Sequence, residues 1–129
     1  MNEILEFIIQ AITDNVSLPQ SITTGQLGES NSIVMQLAPS DTETEFIADR
    51  KKIINLSILI LAKNSNQYIA AENVDLITDY IGNLTTYPQP SSNDFQWVTT
   101  EITTFTNFVD KEDSQNYIYS AIINNKIFK

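Results

Sequence analysis

I-I-N-L-S-I-L-I-L-A-K-N-S-N-Q-Y-I-A-A-E-N-V-D-L-I-T-D-Y-I-G-N-L, from Ile53 to Leu84, decides the fold of this chain. Its first part, Ile53 to Ala62, is a β-branched and nearly unbroken apolar run, the pattern of a central strand covered on both faces. After Lys63 the pattern changes to helical spacing, with Ala70, Val74, Ile77, Ile81 and Leu84 on one side. Glu72, Asn73, Asp75, Thr78 and Asp79 fall between them and are expected to face away. Asn64 is the expected cap, accepting from the backbone at Gln67, whose side chain reaches back as in a capping box. Gly82, followed by Pro88 and Pro90, ends the helix. Such a helix is short enough to fold back along its strand, so strand and helix together supply much of the core.

The flanking segments fit around that unit. Ile4, Ile8, Ala11 and Ile12 give an amphipathic helix over residues 2–13, with Glu3 and Glu6 near its positive N-terminal end. Residues 16–30 carry Pro19, Gly25 and Gly28 without periodicity and read as a loop or irregular edge. Ser32 to Leu37 alternates as a strand, Ala38-Pro39-Ser40-Asp41 reads as a turn, and Thr42 to Ala48 reads as a second strand. A polar turn at Asp49-Arg50-Lys51-Lys52 then leads into the central strand, which makes residues 32–62 an antiparallel meander. Downstream, Phe95 to Thr106 is a threonine-rich strand with a bend or bulge expected near Glu101, and Tyr117 to Ile123 pairs with it as a hairpin. Residues 124–129 read as a short tail. The aromatic residues Phe95, Trp97, Phe105, Tyr117 and Tyr119 are expected to pack in the core and hairpin. The order of elements implies one α+β domain over residues 1–129, a mixed or antiparallel sheet with two main helices packed on it.

Composition excludes several chemistries. The chain has 129 residues, sixteen acidic and seven basic, for a net charge of −9, and contains neither cysteine nor histidine. Disulfides, thiol chemistry, histidine acid–base catalysis and the usual zinc or haem ligand sets are therefore unavailable. The charge repels phosphate backbones, which disfavours non-specific nucleic-acid binding. Three glycines allow no phosphate-cradling loop, and no cofactor is expected. The beginning of the chain carries Glu3 and Glu6 where a secretory signal needs positive charge, and no apolar run is long enough to span a bilayer, so no membrane role is expected.

Three candidate clusters remain. Asp41, Glu43 and Glu45 lie close in sequence, with Glu43 and Glu45 on one strand face, a spacing that could hold a hard cation or act as an acid–base pair; a solvated strand face is the plainer reading. Asp110, Glu112 and Asp113 lack the glycine and the downstream glutamate of a calcium loop. Asp49, Arg50, Lys51 and Lys52 gather three of the seven bases at one turn. On an acidic protein, such a turn could meet an acidic patch on another copy.

The junction A-K-N-S-N-Q-Y-I-A-A-E-N-V-D-L-I resembles the K-x-x-x-N-Q-x-x-A-x-x-x-L-x-x-I junction of minor capsid and tail terminator proteins in siphophages of Gram-positive hosts. Lys63, Asn66, Gln67 and Ala70 match; Asp75 departs from the pattern and Leu76 stands one place off. The likeness extends more loosely to the N-terminal helix, to the strand from Ser32 to Leu37, and to the C-terminal aromatic strands. It implies a tail-terminator-like fold and a structural, non-enzymatic role in the virion tail or neck, with assembly in the host cytoplasm. It also implies partners: further copies in a ring, commonly a hexamer, the tail tube protein, a head completion or connector protein, and DNA that passes without specific binding. A DNA passage favours an acidic lumen, so Glu29, Asp41, Glu43 and Glu45 are the expected channel-lining residues, and Asp49, Arg50, Lys51 and Lys52 the expected subunit contact. Two other classes compete: a small acidic module that mimics DNA and blocks a basic host protein, and a metal-assisted hydrolase using Glu43 and Glu45.

Overall fold

The central strand runs from Lys52 to Asn64 and every other element is placed by its contacts with it or with its neighbours. The computed structural model describes residues 2–28, 31–38, 44–46, 52–92, 94–112 and 116–129. In chain order the elements are α1 (Asn2–Asn15), β1 (Ile22–Thr23), β2 (Ser32–Leu37), β3 (Thr44–Phe46), β4 (Lys52–Asn64), α2 (Gln67–Gly82), β5 (Gln96–Glu112) and β6 (Asn116–Phe128). Five strands stand side by side in the order β1-β2-β4-β6-β5, and β3 pairs with β4 off that path. Only β1 and β2 run parallel, so the sheet is mixed and the class is α+β, with two helices.

Side-chain alternation along β4 sorts the two faces. Ile54, Leu56, Ile58, Ile60 and Ala62 are buried in one cluster with Ile33 and Met35 of β2, Ala121, Ile123 and Ile127 of β6, and the apolar stripes of both helices. Both helices therefore lie on the same face. The expected cover on both faces is found in part: on the other face Val34, Lys63, Ile118 and Ser120 are buried towards the Asn64 end of β4, whereas Ile53, Leu59 and Leu61 are half-buried. An apolar run marks a central position in a sheet but does not distinguish one covering layer from two.

The expected meander is also corrected. β2 pairs with residues 58–63 of β4 and β3 with residues 52–54, both antiparallel, while β6 occupies the other side of β4. β3 therefore continues the line of β2 instead of returning beside it, and Ala38 still donates its N–H to Ser57 O at 2.9 Å. Proline signals read as a reversal; a proline can equally interrupt a ladder. The strand expected over residues 42–48 is described only as Thr44–Phe46. Asp41, Glu43, Asp49, Arg50 and Lys51, like Glu29 and Asp113, lie outside the described residues.

Helix α2 begins two residues later than expected. Asn66, not Asn64, is the cap: its Oδ1 accepts from Tyr68 N at 2.9 Å and Ile69 N at 3.4 Å. Asn64 instead accepts from Asn66 N at 2.9 Å, fixing the bend that leads into the cap. The two asparagines, both suited to capping, are indistinguishable by spacing alone. Asn73 and Thr78 are buried, not outward-facing. Thr78 satisfies its hydroxyl within the helix by donating to Val74 O and Asp75 O, whereas Asn73 Nδ2 has no hydrogen-bond partner.

The tail expected over residues 124–129 is strand. β6 runs on to Phe128, paired with β4 on one side and β5 on the other. Asn125, wholly buried, explains how a strand tolerates a residue of low strand propensity. Its Nδ2 donates to Leu56 O at 3.2 Å, and its Oδ1 accepts from Thr100 Oγ1 at 2.6 Å. Thr100 Oγ1 in turn accepts from Trp97 Nε1 at 2.9 Å, and Thr100 N donates to the Tyr87 hydroxyl at 3.0 Å. Gln89 clasps the Trp97 backbone from both sides, donating to its O at 2.8 Å and accepting from its N at 3.0 Å. This chain of bonds fixes the start of β5 to the middle of the sheet. The ladder shifts register within it at Trp97/Thr99 and beyond it at Ile102/Thr104, Thr104/Asn107 and Phe108/Asp110, so bulges flank Glu101 on either side.

Three substitutions measure these roles. Ile60→Ala is expected to cost about 2–5 kcal/mol in denaturant unfolding, against about 1 kcal/mol for half-buried Leu59→Ala on the other face. Asn125→Ala, which strands Thr100 Oγ1 and Leu56 O, is expected to cost about 2–3 kcal/mol by the same measurement.

Candidate functional site

The helical layer carries acid without base. Glu3, Glu6 and Asp14 lie on α1 and Glu72, Asp75 and Asp79 on α2, and neither helix contains lysine or arginine. Their burial pattern points these carboxylates outward, since Ile4, Ile8 and Ile12 on α1 and Ala70, Val74, Ile77 and Ile81 on α2 face the sheet. Among the described residues the charge pair made there, Lys129 Nζ to Glu3 at 3.5 Å, is solvent-exposed and adds little to stability.

Near the acids of α2 several large apolar side chains are exposed, on α2 itself and on β5. A Cβ on Gly82 would stand 3.4 Å from Ile102 Cδ1, and the Thr106 hydroxyl donates to the Asp75 carboxylate, so α2 runs antiparallel to β5. Seven residues back from Asp75 is about 10 Å of helix, or about three strand residues beyond Thr106. That brings Tyr68 level with the end of β5 that carries Phe108 and Val109. Tyr68 is 77% exposed, Phe105 72%, Phe108 54% and Val109 50%, and none of the four belongs to the core. The expected core placement of Phe105 is thus corrected, while Phe95 and Trp97 are buried as expected. The reason is the register shift between Thr104 and Asn107, which breaks the alternation that would otherwise assign Phe105 a face. Phe108 keeps one edge against Tyr119, with centroids 5.6 Å apart, and Lys111 Nζ stands 5.0 Å from the centre of the Tyr117 ring.

Of the sequence candidates, four have a described backbone. Asp110 and Glu112 lie in β5, Glu45 sits in the middle of β3 opposite Ile53, and Lys52 opens β4 opposite Phe46, so Glu45 and Lys52 stand on successive rungs of one ladder. Glu29, Asp41, Glu43, Asp49, Arg50 and Lys51 lie outside the described residues. Among the described residues no group of three or more acids is placed to hold a metal ion. The exposure of Tyr68 and Phe105 was missed in sequence because each fits a packing pattern; the legible signal was Tyr68 falling off the Ala70–Val74–Ile77 stripe.

A shallow hollow of about 480 Å³ opens where the end of α1 meets the end of α2, lined by Asn15, Val16, Leu76, Asp79, Tyr80 and Leu84 among others. Its one titratable hydroxyl, Tyr80, has a raised pKa, first from burial and then from the Asp14 carboxylate. Both causes disfavour the phenolate, so Tyr80 is a neutral donor and not a base. No protein-family model matches the chain, and no curated protein matches it.

The Tyr80 assignment is checked by absorbance titration. The wild-type chain should show a phenol ionising above 10.0 that Tyr80→Phe removes and Asp14→Asn shifts downward.

Proposed function

We propose that the chain is a virion structural protein of a tailed phage, a tail terminator or head–tail joining protein with a tail-terminator-like fold. It caps the tail tube as a ring, commonly hexameric, and presents its other face to a head completion or connector protein. The observation that carries this reading is the helical layer with six acids and no base. A protein that surrounds passing DNA must not hold it, and each phosphate neutralised by a lysine or arginine would add affinity and slow passage. The motif residues Lys63, Asn66, Gln67 and Ala70 support it as well: Lys63 is buried with Nζ donating to Gly28 O at 2.9 Å, and Asn66 caps α2. In this reading Glu29, Asp41, Glu43 and Glu45 face the channel, and the protein acts in the virion neck after assembly in the host cytoplasm.

The acidic helical layer also suits the second reading, a DNA-mimic module that binds a basic host protein. The two differ in assembly. Electron microscopy with native mass on the same concentrated sample is expected to show closed rings with a central hole. A chain that forms no rings, alone or on tail tubes, and competes with DNA for a basic protein would replace the first reading by the second. Within the ring, lysine at positions 29, 41, 43 and 45 is expected to retain DNA and slow its ejection; unchanged ejection would show that these residues do not line the channel.

A further inference from the structure

We infer that the hollow between the C-terminal ends of α1 and α2 is a docking site for an arginine side chain of a partner protein. The inference goes beyond the ring reading and does not depend on it.

Charge is the first observation. A helix ends on carbonyls that lack intrahelical partners and carry the negative end of its dipole, so lysine or arginine is the favourable residue in a last turn. Neither α1 nor α2 has a base there. Each has an acid instead, Asp14 in α1 and Asp79 in α2, and both helices end against one hollow, lined by Asn15, Val16, Asp79, Tyr80, Asn83 and Leu84 among others. Asp14 stands near enough to Tyr80 to raise the pKa of its phenol, so the fields of the two ends overlap. Residues 1–49 and 64–110, which supply both walls, contain no lysine, arginine or histidine. Two negative helix ends and two carboxylates in one place work against the stability of the fold, and a cation from outside relieves them. A local rule broken without a gain in stability is the mark of a functional site.

The second observation is the surface of the hollow, which holds about 480 Å³. Val16, Tyr80 and Leu84 are half-buried and packed against the core, so its floor is fixed, while Leu76, also in the lining, is 37% exposed. Apolar walls suit the aliphatic stem of a long basic side chain, and an aromatic ring such as that of Tyr80 attracts its charged head. The polar groups are mainly acceptors: the Asp79 carboxylate, the last carbonyls of both helices, and Asn15, whose Nδ2 is already given to Ala11 O at 2.8 Å and whose Oδ1 remains. A guanidinium, with five donors in a planar fork, serves several acceptors at once, whereas an ammonium is a compact and strongly hydrated charge. The hollow is too shallow to enclose a free ligand, so it fits a side chain held out by a larger partner.

The test is a titration of the full chain, nitrogen-labelled and followed by two-dimensional NMR, with Nα-acetylarginine amide as probe and the lysine and norleucine amides as controls. Saturable shifts are expected at the backbone N–H groups of Val16, Ser17, Tyr80, Asn83 and Leu84. Affinity for the arginine amide should exceed that for the lysine amide at least about fivefold, and norleucine amide should not saturate. Asp79→Asn should weaken arginine amide binding at least about fivefold while leaving the unfolding midpoint unchanged or higher, because the carboxylate opposes its own helix end. The Tyr80 phenol gives a second readout. A bound guanidinium keeps its charge at high pH and favours the phenolate, so arginine amide should bring the raised pKa downward and norleucine amide should not. Equal binding of the arginine and lysine amides, or shifts spread along both helices at Glu6, Glu72 and Asp75, would show attraction by charge alone and overturn the inference. Norleucine amide binding as well as arginine amide would overturn it too, as would no saturable shift with any of the three. So would an Asp79→Asn chain that binds like wild type, or one that loses stability, since the carboxylate would then serve the fold.

Discussion

The structure depends on burying one face of β4. Every even position from Ile54 to Ala62 is closed off by helix, and the neighbours on β2 and β6 continue the same apolar layer in register. A shift of one residue in either pairing would turn this layer outward and Asn55, Ser57 and Lys63 inward, so the alternation fixes the register on both sides of β4. Once the register is fixed, the rest is constrained: α2 must follow β4 closely and lie on that face, and α1 must cover what α2 leaves. The remaining face carries Leu59, Leu61 and Ile122 in a half-buried state and buries Val34, Lys63 and Ile118 towards the Asn64 end of β4.

The second constraint is polar. Trp97, Thr100 and Asn125 form a run of donors and acceptors through the core, closed at one end on Leu56 O and at the other on Tyr87 and Gln89. In a low-dielectric interior an unmet member of such a run is costly, so the network specifies one alignment of β5 on β6 at its start. Beyond Thr100 the side-chain ties to β6 are fewer and less buried, Thr103 to Ile122 O and Asn107 to Ser120, and three of the four register shifts fall there. A strand that is bulged and loosely specified along its free edge is also protected against open-ended pairing with other strands. The same bulges release Phe105 from alternation, so its exposure follows from how β5 is held.

The sequence pattern alone located β2 to the residue, β4 to within two residues and the end of α2 at Gly82, because hydrophobic periodicity and glycine act locally. It misjudged what depends on distant partners. Asn125 reads as a strand breaker until Leu56 O and Thr100 are known to satisfy it. Pro39 reads as a reversal because nothing in the sequence shows that Ala38 still pairs with Ser57. Phe105 reads as core because alternation cannot anticipate a bulge. Of the candidate site, the acidity of the helices was plain from composition, whereas the exposure of Phe105 and Phe108 depends on the bulges of β5, which no local pattern contains.

Charge and shape are distributed in a way that bears on assembly. Acids on both helices give the protein a field that repels another copy at long range as well as DNA, and at physiological ionic strength that field fades within about 8 Å. A partner for the helical layer therefore needs opposite charge or contacts that act at short range, whatever that partner is.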